Sequence, residues 1–129
     1  MRRLTILTPF LVLTLAIALA ASASASPSNK WRLQFSGGAN SDGIIVLRLS
    51  PVGGEPQEYT IAIRDGRSEN GVAKDVTAGL KDQLNRDHYH VERDDGEDVL
   101  IKKRRGFADF DVEVISNTVK GVRINPDRE

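Results

Sequence analysis

The chain has 129 residues, with 18 basic and 18 acidic side chains, two histidines and no cysteine. The lack of cysteine excludes a disulfide scaffold and a thiolate-ligated zinc or iron–sulfur site, and the length holds one small domain rather than a multidomain enzyme.

The first quarter has its own composition. Arg2 and Arg3 follow Met1, residues 4–20 are apolar apart from Thr5, Thr8, Pro9 and Thr14, and residues 21–26 alternate Ala with Ser. A basic start, an apolar run and a small-residue end are the three parts of a secretory signal peptide. Residues 1–25 are expected to form this leader, with cleavage after Ala25 preferred to cleavage after Ala23, because Pro27 then falls at the second mature position. A retained anchor is the competing reading, since the apolar run is long enough to cross a bilayer. An anchor is normally flanked by aromatic or charged residues, whereas small ones follow here. The expected product is exported, periplasmic or secreted, with no stable membrane span once the leader is removed. Its loss takes Arg2 and Arg3 and no acid, so the mature chain is slightly negative. No global attraction to nucleic acid follows, and none is expected as a partner.

Residues 26–30 form a polar lead-in to a single domain over residues 31–124. Trp31, Leu33 and Phe35 alternate with Arg32 and Gln34, the period of a half-buried strand. After the turn SGGANSDG, residues 43–50 form a second strand, and after the Pro- and Gly-rich loop at residues 51–56, residues 58–64 form a third. Apolar residues occupy odd positions in all three. An antiparallel meander with Leu47 opposite Ile61 places them on one face.

Ser68 is a plausible N-cap for an amphipathic helix carrying Val72, Ala73, Val76, Leu80 and Leu84. Gly71 and Gly79 weaken it by up to about 1 kcal/mol each, so it depends on docking against the sheet. Residues 88–93 and 97–103 form a hairpin around Asp94-Asp95-Gly96, with Val91 opposite Val99 and Tyr89 opposite Ile101. Phe110, Val112 and Val114 mark a further strand, residues 119–124 a weaker last one, and residues 125–129 are expected to fray. The order β-β-β-α-β-β-β predicts an α+β domain: an antiparallel sheet of about six strands with one helix on one face. A split into two three-stranded sheets is the alternative.

The hairpin register turns His88, His90 and Glu92 outward, with Glu92 directly opposite Asp98. Two facing carboxylates attract a cation, and His90 beside them supplies an imidazole, so His90, Glu92 and Asp98 are a candidate metal site. The competing reading is a solvated turn, with Lys102 and Arg93 near enough to neutralise it. The acid-rich stretch at residues 94–98 lacks the spacing of a twelve-residue calcium loop. Lys102, Lys103, Arg104 and Arg105 form the only basic run. It is a candidate grip for an anionic surface or polysaccharide, or a solvated edge guarded against strand pairing. On a continuing strand, successive side chains point to opposite faces, so the four gather only if the strand ends near Lys102. Ile44 and Val46 point away from the helix side, with Ala62 near them. They are either covered by the last strands or form a partner surface.

Nothing in the sequence supports nucleophilic catalysis. There is no Gly-x-Ser-x-Gly elbow, the two histidines lie two residues apart on one strand, and the glycine pairs sit in hairpin loops rather than between a strand and a helix. No cofactor is implied.

Residues 43–106 contain a strand pair ending in Asp65-Gly66, an Ala/Val helix over residues 72–84, and a hairpin ending in basic residues before Gly106. This run resembles small β-β-α-β-β modules of phage tail and baseplate proteins and of bacterial surface proteins, which serve as structural and docking units without catalysis. Residues 31–35 and the export signal depart from that pattern. The expected function is a small exported non-enzymatic binding or structural domain, contacting another protein through the Ile44 and Val46 face or the basic run. The alternatives are an inhibitor or accessory factor of an exported enzyme, inserting the loop at residues 51–56, and a metal-binding protein or small metal-dependent enzyme using His90, Glu92 and Asp98.

Overall fold

The computed structural model describes residues 26–129. The domain is α+β, with seven strands and one helix: β1 (Lys30–Ser36), β2 (Gly43–Pro51), β3 (Gln57–Ile63), α1 (Glu69–Gln83), β4 (Tyr89–Asp94), β5 (Asp98–Lys103), β6 (Phe110–Asn117) and β7 (Arg123–Arg128). All pairings are antiparallel.

The strands divide into two sheets, β4-β5-β1-β7 and β3-β2-β6, instead of the single sheet expected. The decisive segment is residues 37–42, which the sequence presents as a hairpin turn. Ala39 is buried in it, its N–H donates to the Arg67 carbonyl (2.8 Å), and its carbonyl accepts from Gly66 (2.8 Å). Asn40 N–H donates to the Lys120 carbonyl (2.8 Å). These bonds carry the chain away from β1 and into the other sheet, so β1 and β2 never pair.

One core lies between the sheets. Leu33, Ile45, Leu47, Val99 and Ile101 meet there with Val72, Val76 and Leu80 of α1, all of them wholly buried. Each such side chain contributes roughly 1.5–3 kcal/mol by leaving water. The helix packs mainly on β3 and β4, an edge strand of each sheet, and so closes the gap between them. Ser68 is its N-cap, the hydroxyl accepting from Gly71 N–H (3.1 Å). Across the molecule, Ser28 pairs with Phe110 and is buried, so the polar lead-in helps to join the sheets.

Three further expectations change in register or extent. In β2–β3, Leu47 faces Tyr59 and Ile45 faces Ile61, a slip of two residues that preserves the buried face because the side-chain period is two. In β4–β5, Asp94 faces Asp98 across a turn at residues 95–97, with both Asp95 and Gly96 at positive φ, so Val91 faces Ile101 rather than Val99. Residues 125–128 do not fray. They pair with β1, and Glu129 N–H donates to the Lys30 carbonyl (3.1 Å).

Candidate functional site

The shifted register takes Asp98 away from His90 and Glu92, the other two expected metal ligands. Glu92 lies opposite Leu100, and its carboxylate accepts from Lys102 Nζ (2.6 Å), with His90 Nε2 at 3.3 Å. The Lys102 ammonium, and then His90, hold the Glu92 carboxyl below its ordinary range. Asp98 pairs with Arg32 (2.7 Å), which also binds Asp94 (3.1 Å) and Glu129. Hydrogen bonds to Glu129 and Asp98 raise the Arg32 guanidinium further above its usual range. This outer face of the four-stranded sheet is therefore a web of matched charges. Among the described residues, no group of three or more His, Cys, Asp or Glu side chains is placed to hold a metal ion.

The last strands do not cover the Ile44 and Val46 strip. β6 lies beside β2 and β7 joins the other sheet, so Ile44 stays 40% exposed and Val46 half-buried. The bulge opposite Val46 and Leu47 adds Ile115, also 40% exposed, which sequence pattern alone did not single out. The strip is narrow. Arg48, paired with Glu58 (2.7 Å) and Glu113 (3.7 Å), borders it, and isolated exposed apolar residues of this kind are common on folded proteins.

The basic run does converge. β5 ends at Lys103, and the chain then turns at residues 104–107, with Gly106 at positive φ and Phe107 N–H donating to the Arg104 carbonyl (3.0 Å). Leaving the strand frees Arg104 and Arg105 from alternating faces, and all four bases line one open depression. A second turn, after α1, supports this one. Leu84 caps the helix, Asn85 Oδ1 accepts from Asp87 N–H (2.8 Å), and the Asn85 carbonyl accepts from Tyr89 (3.0 Å). The two turns are clamped together. Arg104 N–H donates to the His88 carbonyl (2.7 Å), Arg104 Nε donates to the Arg86 carbonyl (2.7 Å), and the His88 ring stacks on Phe107 at 3.9 Å.

This pole carries three adjoining depressions. One of about 270 Å³ lies between the last turns of α1 and β4, one of about 790 Å³ lies over the two turns, and one of about 240 Å³ lies beside the start of β1. Arg104 lines all three. Lys81 and Arg86 join from α1 and the turn after it, and Lys30 joins from β1. Asp87 is the one acid among the lining residues. Glu92, Asp109 and Glu129 engage Lys102, Lys103 and Lys30. Among the described residues, the side chains of Lys81, Arg86 and Arg105 and the terminal nitrogens of Arg104 have no hydrogen bond or ion pair. A trough lined almost wholly by one sign of charge attracts and orients an anion. Lys81 and Arg86 are distant from the run in sequence, and only the docking of α1 brings them beside it.

No protein-family model matches this chain, and no curated protein matches it in sequence.

Proposed function

We propose that the protein is an exported, non-enzymatic binding domain that holds an acidic segment of another protein in the trough around Arg104. The observation that carries this reading is the gathering of Lys81, Arg86, Arg104 and Arg105 at one pole, none of them in an ion pair and with Asp87 the one acid among the lining residues, on a domain whose mature charge is slightly negative. Arg32 and Arg48, by contrast, are matched by Asp98 and Glu58. The clamped turns fix the trough before any partner arrives, which lowers the cost of binding.

The test is retention of the purified protein on an immobilised oligoglutamate peptide, with a heparin column alongside. Retention on the peptide should weaken with salt and be lost in a Lys81→Glu, Arg105→Glu double variant. An Ile44→Asp, Val46→Asp variant should keep it. Equal retention of wild type and charge variant overturns the proposal, as does retention on heparin alone, which assigns the trough to an acidic polysaccharide.

A second reading is an inhibitor or accessory factor of an exported enzyme. It is favoured by Val52, which is 58% exposed in the turn between β2 and β3, next to Gly53 at positive φ. Loss of enzyme binding on trimming residues 52–55, with the trough residues intact, is the result that would select it.

A further inference from the structure

The depression between α1 and β4 differs from the rest of the trough. Its volume of about 270 Å³ suits a single side chain, since pockets for larger ligands begin near 300 Å³. Its walls are apolar, from Leu84, Tyr89 and Val91, and its rim is cationic, from Lys81, Arg86 and Arg104. Burial pushes the Tyr89 phenol up to about 12, so this wall stays neutral. β4 is an edge strand, paired only with β5. Beyond Tyr89, whose N–H is held by the Asn85 carbonyl (3.0 Å), its other flank therefore offers main-chain donors and acceptors of the kind that an added peptide strand completes.

Arg104 gives the rim direction. Its Nε is committed to the Arg86 carbonyl (2.7 Å), which fixes the guanidinium plane and leaves the two terminal nitrogens to act together. A guanidinium fork meets a carboxylate with two parallel hydrogen bonds. An internal Asp or Glu can reach that fork but leaves the apolar walls unfilled. A chain end carries a carboxylate and a side chain on the same Cα, so it can satisfy both at once.

We infer that this recess takes the C-terminal residue of the acidic partner, with an apolar side chain against Leu84, Tyr89 and Val91 and the terminal carboxylate on Arg104 and Arg86. The inference rests on the trough reading and adds the identity of the segment bound.

Three labelled peptides with one acidic body test it: one ends in Leu with a free carboxylate, one in Leu amide, one in Ser with a free carboxylate. In anisotropy titrations against the purified protein, the free-acid Leu peptide should bind about tenfold more tightly than the amide, equivalent to about 1.4 kcal/mol, and more tightly than the Ser peptide. Arg86→Gln should reduce the acid-over-amide difference without changing thermal melting, because the Arg86 side chain has no partner to lose. Equal affinity for acid and amide overturns the inference and leaves the trough reading standing. Failure of all three peptides to bind overturns both. Displacement of the Leu peptide by hexanoate at equal concentration also overturns it, by assigning the recess to a small apolar acid.

Discussion

The indole N–H of Trp31 donates to the carbonyl of Phe110 at 2.7 Å in the buried interior, joining β1 of one sheet to β6 of the other. The same carbonyl accepts the Ser28 N–H at 2.9 Å, so one backbone oxygen ties the start of the domain to both sheets. Trp31→Phe removes one of these donors and part of a buried ring while leaving the carbonyl satisfied by Ser28. A net hydrogen bond of about 1 kcal/mol and a small cavity term together predict a loss of about 1–2 kcal/mol. Urea denaturation should show a lower midpoint with an unchanged slope. An unmoved midpoint would show that this bond does not hold the sheets together.

Gly79 lies where α1 approaches β3. A Cβ there would sit 2.9 Å from Cγ1 of the buried Ile61. Gly79→Ala improves helix propensity by about 1 kcal/mol, but forcing a methyl into a filled site costs about 1–3 kcal/mol. The crowding wins, and the expected net loss is about 1 kcal/mol. Stabilisation of the variant in a thermal melt would mean that the helix can move off β3 freely.

Arg32 predicts the acid behaviour of the fold. Hydrogen bonds from Arg32, and then Lys30, hold the Glu129 carboxyl below its ordinary value of 4.5. A lowered carboxyl contributes stability above its unfolded pKa and loses it as pH falls through the folded one. The melting temperature should therefore drop below about pH 4.5. Arg32→Met leaves Asp94, Asp98 and Glu129 without their shared cation. That variant should be most destabilised near neutral pH, where all three are charged, and should approach wild type as acid neutralises them. A constant gap across the pH range would count against the network.

The strand faces were legible in the residues. Trp31, Leu33 and Phe35, like Ile45, Leu47 and Leu49, alternate with polar neighbours and are buried. Ser68 is the helix cap and Val72, Val76 and Leu80 are its buried stripe. Register was not legible, because a slip of two residues leaves the same side chains facing inward. The register of β4–β5 decided the candidate metal site: an expected pairing of Glu92 with Asp98 suggested one, whereas the folded hairpin gives Glu92 to Lys102 and Asp98 to Arg32. Gly79 shows the same limit. Read alone it weakens a helix, but in place it allows the helix to reach Ile61.

Composition and periodicity by themselves determined an α+β domain with an amphipathic helix, a cysteine-free core and a single run of four bases, since these follow from local chemistry and from which side of an element is apolar. Tertiary structure decided the division into two sheets, the matched charges around Arg32, and the meeting of Lys81 and Arg86 with Arg104. Those outcomes depend on contacts between segments remote in the chain. Buried Ala39 sends β2 into the other sheet, and the docking of α1 sets its last turns beside β4.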